Sequence, residues 1–278
     1  MASAEAHQIA GAAVTEPMTD AFSSFRWRQD GGIAIVEIHR PPVNAVTQES
    51  YKELREFFCD PDRHGISAHA LVLTGSGKHF CAGNDLSEFE TLSSQVSRIN
   101  SFHAREAFAA IYNCPIPVVG AVHGAALGAG LVIASCCDIL VAADDAFFGL
   151  PELSVGVAGG AKHLARMVPQ NMVRRMFFSA ERIDAATMLA FGGVSEVVPP
   201  DALLPTATRL ATKIAGHSPA ALRMTKRVLN DIEYLDLLRG YELEQAVTDR
   251  LADHPDSKEA VNAFRQKRPA NYETPSGP

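Results

Sequence analysis

The order of apolar segments along the chain predicts an α/β fold whose C-terminal third is mostly helical. Up to residue 160, short apolar stretches alternate with segments of helical spacing. This alternation favours parallel or mixed β/α packing over a sandwich or a helical bundle. After residue 160, helical spacing dominates. The 278 residues, of which 47% are hydrophobic and 21% charged, are enough to bury a sizeable core.

The individual elements follow from periodicity and from turn residues. A hairpin is predicted because residues 33–38 are rich in β-branched side chains and follow Asp30, Gly31 and Gly32, so they form its second arm and residues 25–29 its first. An amphipathic helix through Tyr51 should end before Pro61. The predicted strands cover residues 25–29, 33–38, 70–74, 118–122, 139–142 and 194–198. The other predicted helices cover residues 96–112, 130–136, 173–178, 185–190, 203–214, 220–246 and 258–264.

Charge and cysteine usage exclude several classes of function. The formal net charge is -7 and no dense run of Lys and Arg occurs, so we expect no nucleic-acid partner. The five cysteines show neither zinc nor redox spacing, and their odd number leaves one over from any set of disulfides. We therefore expect reduced thiols, no metal site and a cytoplasmic location.

The two ends of the chain and one uncharged stretch need separate interpretation. Residues 1–21 have neither a secretion signal nor a transit-peptide composition, and we expect a flexible tail there. Residues 273–278 are predicted to be a disordered tail. Residues 116–137 carry no formal charge, but Pro117 and His123 favour a buried strand, turn and helix over a membrane span.

Two glycine-containing turns are candidates for ligand binding. They are HFCAGNDL at residues 79–86 and HGAALGAG at residues 123–130, each after a predicted strand. Backbone N–H groups in such turns can hold an oxygen that becomes negative during a reaction. Tight packing between strand and helix explains either turn equally well. A nucleotide site is not expected, because Ile133 stands where a dinucleotide fingerprint needs its third small residue.

Glu152 is the candidate proton-transfer residue. It lies in FFGLPELSVG, among apolar residues such as Phe148 and Leu150. A carboxylate that loses water in such surroundings has a raised pKa, which suits proton transfer near neutral pH. From its local sequence alone, Glu152 could instead be a surface residue that caps the following turn.

Taken together, these motifs resemble in order and spacing the enoyl-CoA hydratase/isomerase family, also called the crotonase family. PPVNAV at residues 41–46 and FRQKRPANY at residues 264–272 extend the resemblance over nearly the whole chain. It implies a crotonase-like spiral of repeated ββα units in residues 22–200. A helical region in residues 201–272 would then build homotrimers or hexamers. The implied substrate is an acyl-CoA thioester, with no cofactor beyond the coenzyme A of the substrate.

The resemblance also implies roles for individual residues. Backbone N–H groups of Asn84 and Ala129 would hold the thioester oxygen, and Glu152 would move the proton beside it. Lys267 or Arg268 would meet the phosphates of coenzyme A. The remaining implied contacts with substrate or coenzyme A are Ala45, Ala82, Gly83, Asp85 and Leu86.

One residue departs from the family pattern. Hydratases of the family carry a second glutamate 20 positions before the first, and here that position is Val132. A single glutamate favours isomerisation of an enoyl-CoA double bond. A hydratase, another lyase or a hydrolase with a substitute group, and a non-catalytic relative that binds acyl-CoA or RNA, stay open as alternatives.

Several polar residues have less specific interpretations. We expect Asp85 and Glu88 to be helix-start acids and Asp138 to be buried and hydrogen-bonded. His123 should satisfy backbone groups. Lys162 and His163 are expected to be structural or exposed rather than catalytic.

Overall fold

The computed structural model describes residues 18–19, 21–90 and 93–272. Apart from Met18, Thr19 and Ala21, the tails predicted at residues 1–21 and 273–278 lie outside the described residues. No helix in the described part of the chain is both long enough and apolar enough to cross a bilayer.

The strands form two sheets. They are β1 (Phe25–Asp30), β2 (Ile33–Ile38), β3 (Ala70–Gly75), β4 (Val118–Val122), β5 (Ala125–Leu127), β6 (Ile139–Ala143), β7 (Phe147–Gly149), β8 (Arg182–Asp184) and β9 (Glu196–Val198). The larger sheet has the order β1-β2-β3-β4-β6-β9, with an antiparallel β1/β2 hairpin and parallel neighbours beyond it. The smaller sheet has the order β5-β7-β8.

The helices cover the sheets and fill the C-terminal third. They are α1 (Gln48–Cys59), α2 (Ser94–Tyr112), α3 (Ala129–Ser135), α4 (Ala161–Leu164), α5 (Gln170–Ser179), α6 (Ala185–Ala190), α7 (Pro200–Ala215), α8 (Pro219–Ile232), α9 (Leu237–Ala252) and α10 (Pro255–Gln266). The single predicted helix at residues 220–246 is wrong, because α8 ends at Ile232 and α9 begins at Leu237. Asp236 caps the new helix by accepting a hydrogen bond from the Arg239 N–H.

The central strands of the larger sheet are mostly apolar because both faces of the sheet are covered there. Every residue of β3 and β4 is buried. On one face, Leu203, Ala207 and Ala211 of α7 form a core with residues of the sheet. On the other face, the sheet packs into the main core together with α1, α2 and α3.

A repeated unit of strand, short strand and helix positions the candidate site. β4, β5 and α3 form one such unit, and β6, β7 and α4 follow the same order. Each first strand joins the larger sheet and each second strand joins the smaller one. The earlier turn contributes a parallel bridge from Cys81 to Ala126 of β5. The predicted α/β architecture is therefore observed, although no sequence pattern predicted the short strands β5, β7 and β8.

Candidate active site

The two glycine-containing turns lie against each other. The Cys81 N–H donates to the Ala125 carbonyl at 2.9 Å, and the Leu127 N–H donates back to the Cys81 carbonyl at 3.1 Å. A Cβ atom added to Gly83 would lie 3.8 Å from the Ala129 nitrogen. This pairing brings the turn that contains Asn84 next to the start of α3.

Both backbone N–H groups predicted to bind an oxygen are free in the described part of the chain. Ala129 is the first residue of α3, so its N–H has no partner within the helix. Asn84 pairs with Val46 in a β-bridge, but its own N–H takes no part in it. The bridge consists of two hydrogen bonds, from the Val46 N–H to the Gly83 carbonyl and from the Asp85 N–H to the Val46 carbonyl. Neither the Asn84 nor the Ala129 N–H donates to another described group, so both can donate hydrogen bonds to an oxygen anion of a ligand.

The smaller sheet brings Glu152 to these N–H groups. Leu127 of β5 pairs with Gly149 of β7, and Glu152 follows three residues later in a single helical turn. A Cβ atom at residue 128 would lie only 2.8 Å from Glu152 Oε1. Gly128 has a φ of 53° and no side chain. The Glu152 carboxylate can therefore lie directly beside Gly128, one residue before the Ala129 N–H.

The environment of Glu152 changes its acid strength. Its Oε2 atom is buried and has no hydrogen-bond partner among the described residues. Burial raises the pKa of Glu152 from 4.5 to about 7, because the charged form loses water. The side chain can therefore both release and take up a proton near neutral pH.

A cavity of about 500 Å³ surrounds this carboxylate. One wall is the face of α2 between Ser97 and Tyr112, and residues 157–160 form another wall. Val132 also lines the cavity and is 3% exposed. The cavity wall therefore has an apolar side chain at this position and not a second carboxylate.

Glu88 is the other carboxylate that lines the cavity within the described chain, and it is already engaged. Its two oxygens lie 3.0 and 3.2 Å from the Gln48 N–H at the start of α1. Asp85 caps the helical turn Leu86–Phe89 by accepting from the Ser87 N–H. Both residues act at helix starts, as predicted, although Glu88 serves α1 as well as its own turn.

Sequence reasoning missed the contribution of Tyr51. Its hydroxyl lines the cavity and donates a hydrogen bond to Asn84 Oδ1 at 2.5 Å. Burial, together with nearby Cys81, Glu88 and Glu152, raises the pKa of Tyr51, so the phenol stays protonated and acts as a donor. The helical spacing had marked Tyr51 only as a core residue of α1.

His163 also faces the cavity. The sequence-based expectation was a structural or exposed histidine, but the side chain is half-buried in the cavity wall. Its ring centroid lies 5.7 Å from that of Phe108 on α2. Burial, with a smaller contribution from Arg166, lowers the pKa of His163. Lys162 is exposed, and its ammonium group lies over the ring of Tyr234.

The residues predicted to meet coenzyme A lie in two paired segments beside the cavity. The Ala82 N–H donates to the Val43 carbonyl, and the Val46 N–H donates to the Gly83 carbonyl. Arg40 joins these segments through the Ala45 carbonyl and the carboxylate of Asp85. Leu86, at the edge, is 59% exposed.

The two predicted phosphate contacts lie elsewhere on this chain. Lys267 is an exposed residue at the end of α10 and does not line the cavity. Arg268 forms a two-point ion pair with Glu259. Neither residue lines the cavity, and the predicted contact with the phosphates of coenzyme A stays a prediction.

Two further expectations concern Asp138 and His123. Asp138 accepts hydrogen bonds from the Val118 N–H and from Lys226 Nζ, both at 2.7 Å, but the residue is exposed rather than buried. It lies directly before β6, in the short link between α3 and the larger sheet. His123 Nε2 lies 3.2 Å from the Gly77 carbonyl oxygen, in keeping with a structural role.

Comparison with solved structures establishes the fold. An enoyl-CoA hydratase from Bacillus anthracis superposes with a TM-score of 0.84 at 26% identity, covering 91% of this chain and 100% of that structure. The molecule has the α/β crotonase fold with C-terminal helices. The family model described as enoyl-CoA hydratase/isomerase matches residues 28–275. The chain therefore belongs to the enoyl-CoA hydratase/isomerase family.

Its relatives have different activities. A Rhodococcus jostii protein named (7aS)-7a-methyl-1,5-dioxo-2,3,5,6,7,7a-hexahydro-1H-indene-carboxyl-CoA hydrolase is 38% identical over 218 residues, covering 78% of this chain and 84% of the relative. A short-chain-enoyl-CoA hydratase from Clostridium acetobutylicum is 33% identical over 245 residues, covering 86% of this chain and 94% of the relative. Similarity to these proteins supports an enzyme that acts on acyl-CoA.

Proposed function

We propose that the enzyme moves a proton at the carbon beside the carbonyl of an acyl-CoA thioester. Glu152 takes and returns the proton, and the N–H groups of Asn84 and Ala129 bind the thioester oxygen while it carries negative charge. The observation that carries the proposal is the unpartnered Glu152 oxygen beside two free backbone donors.

The expected sizes of these effects are large enough to matter. A preorganised donor that meets a developing oxyanion contributes about 3 kcal/mol to lowering the barrier. A positioned general base contributes about 10²–10⁴-fold in rate. With a pKa of about 7, Glu152 is divided between its basic and acidic forms near neutral pH, so it can perform both halves of a proton shuttle.

Isomerisation of an enoyl-CoA double bond is the reaction that this set of groups supports without further help. It removes a proton from one carbon and returns it to another, so one carboxylate suffices. Val132 leaves no carboxylate at the second position, and Glu88 is held by the Gln48 N–H.

A reaction that consumes water is the second candidate. The relatives from R. jostii and C. acetobutylicum are named a hydrolase and a hydratase, which favours hydrolysis of an oxo-acyl-CoA or hydration of a 2-enoyl-CoA. Either reaction needs a group besides Glu152 that removes a proton from water.

The two candidates are distinguished by offering the purified enzyme 3-enoyl-CoA, 2-enoyl-CoA and 3-oxoacyl-CoA separately. Double-bond movement that disappears in Glu152→Gln supports isomerisation. Brisk hydration of the 2-enoyl-CoA or hydrolysis of the 3-oxoacyl-CoA, without double-bond movement, supports the second candidate instead. Binding of all three thioesters without any reaction would contradict both and favour a non-catalytic acyl-CoA-binding protein.

We also propose that the C-terminal helices assemble the chain into homotrimers or hexamers. Gly240 is the one buried residue of α9. Leu237 and Leu238 on α9 are 85% and 81% exposed, and Phe264 on α10 is 86% exposed. Apolar surface of this extent is typical of a protein interface. In such an assembly, Lys267 at the end of α10 is placed to approach coenzyme A bound to a neighbouring copy.

Analytical ultracentrifugation tests this assembly. We expect the wild-type enzyme to sediment as a trimer or a multiple of it, and Leu237→Glu/Leu238→Glu to sediment as smaller species. Leu189→Glu, a change at a 43% exposed leucine on α6, is the matched control and should leave the assembly intact. A monomeric wild-type enzyme would contradict the proposal.

A further inference from the structure

The titratable side chains that line the cavity differ in whether they are already engaged. In the described chain they are Tyr51, Glu88, Arg105, Tyr112, Glu152 and His163. Tyr51 donates to Asn84, and Tyr112 donates to Glu233 at 2.6 Å. Glu88 accepts from the Gln48 N–H.

Of the rest, Arg105 is 70% exposed and lies near Glu106. Glu152 keeps one buried oxygen without a partner. The imidazole of His163 has no hydrogen bond or ion pair to any described residue, although its ring contacts Phe108. Two unengaged proton-transfer groups, a carboxyl and an imidazole, therefore line one cavity.

His163 lies on the helix next to Val132, the residue that stands in place of the second glutamate. His163 lies on α4, which begins immediately after Gly160 and packs against α3. A Cβ atom on Gly160 would lie 3.1 Å from Val132 Cγ2, so the start of α4 lies against Val132. The imidazole thus reaches the cavity from the helix that adjoins the apolar side chain at the position of the second glutamate.

We propose that His163 is a second catalytic residue of this site, which accepts a proton from a water molecule held in the cavity. The inference rests on the proposed function, since it requires a thioester bound to the Asn84 and Ala129 N–H groups beside Glu152. It favours the candidate reactions that consume water over isomerisation.

The proposed step balances for both water-consuming reactions. The water oxygen bonds to C3 of the acyl chain while one of its protons passes to His163. In a 2-enoyl-CoA the C2–C3 π pair moves towards the thioester oxygen. In a 3-oxoacyl-CoA water first adds to the C3 carbonyl. The C2–C3 bond then breaks, its electron pair moves towards the thioester oxygen, and C3 becomes the carbon of a carboxylic acid. Both routes give a thioester enolate, to which protonated Glu152 gives its proton at C2. The proton on His163 then passes to solvent, and Glu152 takes one back from solvent.

The pKa shifts of Glu152 and His163 suit their proposed roles as acid and base. Burial makes the carboxyl of Glu152 a weaker acid, with a pKa of about 7, so a protonated fraction is present near neutral pH. Burial and Arg166 lower the pKa of His163, so its imidazole is neutral and can accept a proton. Environments that shift two groups in opposite directions create an acid and a base in one site.

The test follows oxygen and hydrogen separately. Crotonyl-CoA and acetoacetyl-CoA are incubated in ¹⁸O-water, and butanoyl-CoA, which can neither hydrate nor cleave by this route, is incubated in D₂O. We expect the wild-type enzyme to incorporate one ¹⁸O into the product of at least one substrate. His163→Gln should slow this about 100-fold or more, while deuterium exchange at C2 of butanoyl-CoA stays within about threefold.

Two further variants separate catalysis from structure. His163→Ala should recover part of its rate when imidazole is added, which a purely structural role would not produce. His69→Gln changes a half-buried histidine that lies outside this cavity and near the Ala215 carbonyl, and this variant should match the wild-type enzyme.

Undiminished ¹⁸O incorporation in His163→Gln would overturn the inference. So would a wild-type enzyme that exchanges C2 protons but incorporates no ¹⁸O from water, an outcome that leaves the proposed function intact. Absence of both reactions in the wild-type enzyme would contradict the inference and the proposed function together.

Discussion

Replacing Glu152 by glutamine should abolish proton transfer and at the same time stabilise the fold at alkaline pH. Folding raises the pKa of this carboxyl from 4.5 to about 7. Between these values the folded chain holds more of this proton than the unfolded chain does. The stability of the wild-type enzyme therefore falls as pH rises through this window, and the full cost of the buried charge applies above about pH 7.

The magnitude follows from the size of the shift. The difference between 7 and 4.5 is 2.5 units, and at 1.36 kcal/mol per unit this gives an upper bound of about 3 kcal/mol. Glu152 is half-buried rather than fully buried, and solvent screening reduces the expected effect to about 1–2 kcal/mol. Glutamine is neutral at every pH, so the Glu152→Gln variant buries no charge at this position.

Urea unfolding at pH 5 and pH 8, at equal protein concentration, measures the effect. Relative to the wild-type enzyme, Glu152→Gln should gain about 1–2 kcal/mol in free energy of unfolding between pH 5 and pH 8. Asp184→Asn removes a carboxyl whose pKa is lowered by hydrogen bonds from Thr187, and this control variant should show no such gain between pH 5 and pH 8. A Glu152→Gln variant whose relative stability is the same at both pH values would refute the idea that the carboxyl is desolvated.

Two further changes probe the geometry around the carboxylate and its donors. Gly128→Ala should lower kcat about 100-fold or more, because the new Cβ would lie 2.8 Å from Glu152 Oε1. Gly156 also has a positive φ, but a Cβ added there meets open space. Gly156→Ala is therefore the control, which should lose stability with little loss of activity. Equal kcat values for these two variants would contradict that reasoning. Tyr51→Phe removes the donor to Asn84 Oδ1 and should cost about 1–3 kcal/mol in unfolding free energy, measured in urea; an unchanged stability would show that the hydrogen bond contributes little.

The parts of the site that could be predicted are those defined by short sequence segments. The turns around Asn84 and Ala129, and Glu152 after β7, each lie within a few residues of a strand end. Their chemistry depends on backbone geometry that the local sequence encodes, and the structure brings the three together at one cavity. The catalytic roles of these residues stay predictions.

Other site features depend on contacts between distant segments. Tyr51 has the same helical spacing as the buried Leu54, so periodicity cannot show that its hydroxyl reaches Asn84. His163 faces the cavity only because α4 packs against α3. No local pattern distinguishes such a histidine from an exposed one.

For the fold, too, local sequence patterns predicted some elements and missed others. Long apolar strands were located well because both faces of the larger sheet are buried. The break between α8 and α9 was missed because helical spacing continues across it, and the cap at Asp236 decides where the new helix begins. The three-residue strands β5, β7 and β8 are too short to show a period.

The central claim, that Glu152 moves the proton beside a thioester held by the Asn84 and Ala129 N–H groups, is tested most directly by deuterium exchange at C2 of butanoyl-CoA in D₂O. Mass spectrometry follows the label, and this substrate can neither hydrate nor isomerise. We expect exchange by the wild-type enzyme and a rate at least about 100-fold lower for Glu152→Gln at equal thioester occupancy. Exchange that continues at the wild-type rate in Glu152→Gln would contradict this claim.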